Sequence, residues 1–481
     1  MLVSLDNVIP RMPDSPFIRP VNWQINTDEA WGVVGPNGSG KSLLSELICG
    51  KIAVRSGHIR YHFPEETGEK GASLFPAQRI RKIEFNAASS LLDYRKLFYQ
   101  QRFNHSENED IPLVSELLPP EGISEENLLI FRTFHLFDLM DRKFIYLSSG
   151  ELRKILIAKA LLDNPKMLVF DNPFIGLDEE SRELLNDMFV FLLARRNIRL
   201  LFLAPSLEEL PACTTHILEM KNCAINYCGE KPGFTSGSLP VNASLPEINW
   251  DDLTLENRTS GSNELVSMTN VDIAYGKRII RENINWTIRK NEKWALLGPN
   301  GSGKSTLLSY IFADNPQAYA KNISLFGHKR GTGESIWDIK RRIGFSSSEL
   351  HLYYRENVTC SAVVASGFFD SIGLYRKCNA QQTLLAEKLL ELLHIPHLKN
   401  RPFLKVSSGE QRLLFFARAI IKNPELLILD EPFHGLDANN KALCTSIVES
   451  YADQPGKSLI YVTHRKEEIP GCVDRFMILR Q

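Results

Sequence analysis

No stretch of this 481-residue sequence reaches the roughly 20 uninterrupted apolar residues that a membrane-spanning helix needs. The longest apolar runs are short and end in Asp, Gly or Pro, as buried strands do. Net charge is also missing: 56 Lys and Arg stand against 57 Asp and Glu, a formal charge of −1. Long-range attraction to nucleic acid or to an anionic membrane is therefore excluded, and no direct nucleic-acid partner is expected. Cysteine is sparse and unpatterned, with eight residues at 49, 213, 223, 228, 360, 378, 444 and 472. Cys223 and Cys228 form the closest pair, but no second pair or suitably spaced histidines complete a zinc site. Free thiols are expected, without metal or disulfide. The first residues, MLVSLDNVIPRMPDSPFIRP, show no basic stretch leading into an apolar core and are not expected to be a secretory signal. Their acids and prolines also fit an Arg-rich transit helix poorly.

What is present is an ordinary globular mixture, 43% hydrophobic and 23% charged, with apolar side chain for more than one core. At about 150 residues per domain the length suits three units or two large ones. An internal repeat favours two. Gly35-Pro36-Asn37-Gly38-Ser39-Gly40-Lys41-Ser42 returns 263 positions later as Gly298-Pro299-Asn300-Gly301-Ser302-Gly303-Lys304-Ser305. Asn22-Trp23 returns as Asn285-Trp286, and Ala30-Trp31 is echoed in reverse order by Trp294-Ala295. Leu147-Ser148-Ser149-Gly150-Glu151, the apolar run ending at Asp171, and Gly176-Leu177-Asp178 all return 259 positions later. Their counterparts are Val406-Ser407-Ser408-Gly409-Glu410, the run ending at Asp430, and Gly435-Leu436-Asp437. The expected division is a first domain over 1–229, a polar acidic linker over 230–264 and a second domain over 265–481. A polar segment, Pro64 to Lys82, is expected to decorate the first half. Apolar spacing predicts helices over Glu183–Leu193 and Gln381–Leu393.

Both eight-residue copies satisfy G-x-x-x-x-G-K-[ST], follow an apolar strand-like run and lead into a helix-like run. Glycines at these positions let backbone N–H groups curl around a phosphate at a helix N-terminus. Lys41 and Lys304 would reach the β- and γ-phosphates, and Ser42 and Ser305 would ligate Mg2+. Asp171 and Asp430, each ending an apolar strand, would stand near the metal. ATP and Mg2+ are the expected cofactors.

The remaining motifs resemble the ATP-binding cassette family. Ser-Ser-Gly-Glu leading into a helix resembles its signature loop, usually LSGGQ. Gly-Leu-Asp resembles its D-loop, Thr463-His464 its switch histidine, and Tyr275 the aromatic that stacks on adenine. The resemblance covers nearly the whole chain apart from the linker and termini. Glu334–Lys340, Ile343–Ser348 with His351-Leu352, and Gly367–Gly373 narrow it to a duplicated bacterial cassette subfamily of the molybdate-transport or photorepair type. The fold implied is α/β, two tandem cassette domains, each a P-loop core with a helical signature subdomain. The resemblance further implies that two cassettes pair head to tail within one chain, making a monomer. Each ATP would lie between one phosphate loop and the opposite signature.

The two implied nucleotide sites are unequal. Glu431 follows Asp430, but Asn172 follows Asp171; the 259-residue offset sets Pro205 opposite His464, and Met12 falls opposite Tyr275. The second site would comprise Tyr275, Gly298 to Thr306, Asp430, Glu431 and His464, completed by Ser148, Gly150 and Glu151. Within it Glu431, His464 and Lys304 would be catalytic. The first would comprise Gly35 to Ser42, Asp171 and Asn172, completed by Ser407, Gly409 and Glu410. Hydrolysis is expected mainly at the second. Transport cassettes usually carry glutamine at the end of an I-G-Y-x-x-Q strand; here Ser348 ends that pattern, and the first half reads Ile83-Glu84-Phe85-Asn86-Ala87. The expected role is a soluble mechanoenzyme or regulatory module, the alternative an ATP-hydrolysing subunit energising a separate membrane permease. The protein partner is correspondingly a soluble protein or a permease. A cytoplasmic location, peripheral to a membrane or not, is expected, with a mitochondrial one as the alternative.

Overall fold

The computed structural model describes residues 1–12, 17, 19–63, 76–85, 112–118, 125–143, 147–195, 198–234, 248–254, 261–275, 278–347, 350, 354 and 356–479. The chain divides into two compact units, the first drawn chiefly from residues 1–240 and the second from 241–481. Each is a layered α/β unit with a mostly parallel core sheet and a smaller antiparallel sheet.

In the first unit the core sheet runs Ile80–Glu84, Met167–Asp171, Arg199–Ala204, Trp31–Val34, His216–Lys221 and Ala224–Glu230. The first five strands are parallel and the last turns back antiparallel. The second unit repeats this order with Ile343–Ser347, Leu426–Asp430, Ser458–Thr463, Lys293–Leu297 and Arg475–Ile478, all parallel. Parallel strands are covered on both faces, which is why Trp31–Val34 and Leu426–Asp430 read as unbroken apolar runs and are buried throughout. The antiparallel sheets pair Val3–Pro10 with Val21–Ile25 and Val54–Tyr61, and Glu264–Tyr275 with Arg278–Arg289 and Ile323–Leu325.

Strand register makes the duplication exact to the residue and corrects the echo read from the sequence. Trp31 and Trp294 are themselves equivalent, since Trp31 pairs with Leu201 and Trp294 with Ile460, and each stands edge-on to a second tryptophan, Trp23 at 5.2 Å and Trp286 at 5.7 Å. Each indole N–H donates to a glutamate two residues back, Glu29 or Glu292. A second correction concerns Pro64 to Lys82. Its end, Ile80–Lys82, is not decoration but core strand, paired in parallel with Met167–Val169. Residues 64–75 lie outside the described residues.

The signature-loop helices, Ser149–Leu162 and Ser408–Ile420, start alike. Ser148 and Ser407 accept from the backbone N–H of Glu151 and Glu410, whose carboxylates reach back to the capping residue's N–H. The helices expected over Glu183–Leu193 and Gln381–Leu393 are present as Glu179–Arg195 and Ala380–Leu392. Part of the expected linker is structured. Trp250 and Leu253 are buried; Trp250 packs edge-on to Tyr451, and its indole N–H donates to Ser450 Oγ. Two large apolar side chains in an otherwise polar stretch are what fix it there. Among the described residues, no helix is long and apolar enough to cross a membrane.

Candidate functional site

Each phosphate loop sits between a buried core strand and the helix that follows it, Lys41–Ile48 or Lys304–Ile311. Gly38 and Gly40 have φ of 76° and 96°, and Gly301 and Gly303 of 78° and 93°. That left-handed backbone curls the loop and favours glycine. A Cβ on Gly40 would also meet Cys223 Sγ at 3.0 Å, and one on Gly303 would meet Ile273 Cδ1 at 3.0 Å. Lys41 Nζ donates to the carbonyls of Gly35 and Pro36 at 2.6 and 2.8 Å; Lys304 Nζ donates to those of Gly298 and Pro299 at 2.7 and 2.8 Å. Both ammonium groups therefore lie across their own loops. Burial pushes the Lys41 amine down to about 8, with the Asp171 carboxylate opposing the fall.

Beyond the loops the two units part. At the end of Leu426–Asp430, Glu431 is buried and held between two imidazoles. His464 Nδ1 donates to its Oε1 at 2.8 Å, and His434 Nδ1 lies 3.3 Å from its Oε2. The donor atoms of the three side chains all lie within 4.8 Å of one another. Burial alone would raise the Glu431 carboxyl, but the two histidines outweigh it and hold the group well below the ordinary carboxylate range. His464 Nε2 is buried without a hydrogen-bond partner. Arg412, reaching the His434 carbonyl, completes the surround; burial lowers its guanidinium to about 10.

Strand register locates the counterparts without ambiguity, because Asp171 pairs with Leu203 as Asp430 pairs with Val462. Asn172 stands in the place of Glu431, Pro205 in that of His464 and Ile175 in that of His434. The frame around them is unchanged. Arg153 reaches the Ile175 carbonyl as Arg412 reaches that of His434. The Arg182–Glu209 pair at 2.9 Å repeats the Lys441–Glu468 pair at 3.2 Å. Asn172 and Glu431 also share a left-handed backbone, φ 50° and 48°, and both donate their N–H to the neighbouring strand at 2.9 Å.

The sequence motifs did not reveal His434, although its position three residues after Glu431 and the Ile175 mismatch at the same offset carry the signal. Tyr275 ends the strand Glu264–Tyr275, but its side chain, like Ser348 and His351-Leu352, lies outside the described residues. Met12 follows a shorter strand that ends at Pro10. Ser148, Gly150 and Glu151 lie at the start of one signature helix and Ser407, Gly409 and Glu410 at the start of the other. Register also corrects the matching of the strand before the transport glutamine. Ile80 pairs with Met167 as Ile343 pairs with Leu426, so Ile80–Glu84, not Ile83–Ala87, corresponds to Ile343–Ser347.

Oxygen donors suit Mg2+. In the second unit Asp430, 8% exposed at its strand end, offers a carboxylate, and Ser305 lies in the first turn of the loop helix. In the first unit the donor pair exists, with Ser42 Oγ 3.4 Å from Asp171 Oδ2, but Lys82 Nζ lies 3.3 Å from that same oxygen. An ammonium there does not fit a metal ligand.

Two P-loop cores, each with a capped signature helix, define a tandem cassette ATPase. The ABC transporter family model matches residues 18–175 and 281–434, and the chain belongs to that family. It is an ATP hydrolase whose cofactors are ATP and Mg2+. It is 32% identical to the ABC transporter ATP-binding protein ModF of Escherichia coli over 475 residues, 96% of this chain and 94% of that protein. It is 29% identical to an uncharacterized ABC transporter ATP-binding protein of Schizosaccharomyces pombe, over 96% of this chain and 94% of that one. An archaeal ribosome recycling factor, aABCE1, crystallised with a ribosomal stalk protein, shares the fold at a TM-score of 0.52 and 18% identity, over 98% of this chain and 87% of that one.

Proposed function

We propose that the chain is an ATP-driven mechanoenzyme or regulatory module that binds two nucleotides and hydrolyses mainly the one held by the second phosphate loop. Each loop would be completed by the signature of the other half, Ser148, Gly150 and Glu151 for the second and Ser407, Gly409 and Glu410 for the first. The observation carrying this reading is the buried Glu431 carboxylate between His464 and His434, set against Asn172, Pro205 and Ile175 in the same register.

The chemistry follows from those groups. Glu431, ionised throughout the neutral range, accepts a hydrogen bond from water and orients it toward the γ-phosphate. Because His464 donates from Nδ1 to Glu431, its Nε2 donates to phosphate only in the imidazolium form. Lys304 and the loop N–H groups stabilise the phosphate charge, and bound Mg2+ would neutralise further charge with Asp430 and Ser305 as its ligands. Asn172 has the shape but not the basicity, and a general base is worth about 10²–10⁴-fold.

Steady-state phosphate release by Lys304→Ala and Lys41→Ala tests the reading. Lys304→Ala should abolish turnover and Lys41→Ala should leave a measurable rate; equal losses overturn the unequal-site assignment. A second reading, the energising subunit of a separate permease, draws on the likeness to a protein named as an ABC transporter ATP-binding protein. Copurification of a stoichiometric membrane protein from native extract would favour it.

A further inference from the structure

The Asp171 carboxylate is already provided with donors from its own unit. Lys82 Nζ lies 3.3 Å from Oδ2, the Ser42 hydroxyl donates to Oδ2 at 3.4 Å, and the Asn172 amide donates to Oδ1 at 3.2 Å. The Lys82 side chain is 3% exposed and that of Asp171 18%, so the ammonium is shielded from water and salt while the carboxylate is partly open. In the second unit register sets Phe345 in the place of Lys82, and that ring is spent on stacking against Phe312 at 4.4 Å. Phe85 then occupies the position of Ser348. It stacks on Phe170 and lies 5.0 Å beneath the Arg153 guanidinium, so it offers no oxygen to a metal.

Mg2+ demands near-octahedral oxygen ligation at about 2.0–2.1 Å and sheds water reluctantly. A buried ammonium beside the carboxylate that should ligate it opposes the ion by charge and competes for the same lone pairs. We infer that the first site holds a nucleoside triphosphate without a divalent metal, the Lys82 ammonium standing as its resident cation beside Lys41. The inference rests on the two-nucleotide reading above. It gives the first unit a distinct ligand, metal-free nucleotide, where the second takes the magnesium complex. A nucleotide so held lacks the ion that neutralises charge on the leaving phosphates, which suits retention rather than turnover.

The test counts nucleotide and metal separately. The full chain carrying Glu431→Gln, which slows consumption of the ligand, is saturated with radiolabelled ATP and Mn2+ as the magnetic substitute for Mg2+. Bound ATP is read by equilibrium dialysis and bound Mn2+ by loss of the free-ion resonance. Two ATP and one Mn2+ per chain are expected. In excess EDTA one ATP should remain, and Lys41→Ala should remove it. Lys82→Phe, copying the second unit, should weaken the EDTA-resistant binding at least tenfold, whereas Lys82→Arg, which keeps the charge, should retain it. Two ATP with two Mn2+, or no EDTA-resistant ATP, overturns the inference and leaves the two-nucleotide reading standing. One ATP per chain under every condition overturns both.

Discussion

At the end of Met167–Asp171 and at the end of Leu426–Asp430 the same backbone carries different side chains. Both strands stop at an aspartate, both pass into a left-handed residue, and both are ringed by an arginine bonded to a carbonyl and an outer cation–glutamate pair. Within that ring the second unit has Glu431, His434 and His464, the first Asn172, Ile175 and Pro205. The three differences fit together: with no carboxylate at 172, histidines at 175 and 205 would lose the acceptor that Glu431 gives their counterparts, and Ile and Pro need none. The lesson is that the frame answers to folding and the centre to chemistry: the frame keeps its bonds in both units while the centre does not.

The sharpest way to break the comparison is Glu431→Gln, which should lower phosphate release at saturating MgATP by at least about a hundredfold. A loss of the same size from Asn172→Ala would make the units equivalent. His434→Ile, which copies the first unit, should come next. Burial would raise the Glu431 carboxyl and the histidines depress it, so removing one lifts it back toward its ordinary value. Because a depressed carboxyl is charged above its folded value and neutralised as pH falls through it, the acid limb of the pH–rate profile should move upward. An unmoved acid limb would remove His434 from the site.

A smaller effect concerns binding at the first loop. The Lys41 amine, lowered to about 8 by burial, loses its proton above that pH, while phosphate favours the charged form. Affinity measured in a Lys304→Ala chain should therefore fall as pH rises from 8 to 10, by no more than about tenfold per unit, with proton uptake on binding. Calorimetry in buffers of different ionisation enthalpy reads that uptake directly. The smallest effect is expected of Asn172→Glu. It should leave phosphate release within about twofold, because Pro205 and Ile175 supply no donor to the new carboxylate, and a carboxylate so placed gains little basic catalysis.

Much of this was legible in the sequence because its signals are local. The phosphate loops are contiguous, the strand runs are unbroken, and Asn172 and Pro205 fall at fixed offsets from residues that motifs identify. What escaped depends on register between strands distant in sequence. Lys82 looked like the tail of a polar insert, since nothing nearby shows that its strand lies beside Asp171. His434 sits inside a stretch that reads as a turn, and its meaning comes from Glu431 and Glu468 meeting it in space. Trp250 was submerged in a polar segment whose composition says linker, while its partner, Tyr451, lies 201 residues away.

The left-handed turn after each strand bears on which side chains the first unit can carry there. A left-handed backbone costs most residues about 1–2 kcal/mol and asparagine less, so Glu431 is kept on a strained mount where Asn172 rests on a relaxed one. The aim of the side chain is thus set by main chain that the two units share. Copying the second unit's site onto the first is a matter of refitting side chains on the same main chain, at positions 172, 175, 205 and 82 together. Asn172→Glu alone would add strain at the left-handed position and a carboxylate without its histidines.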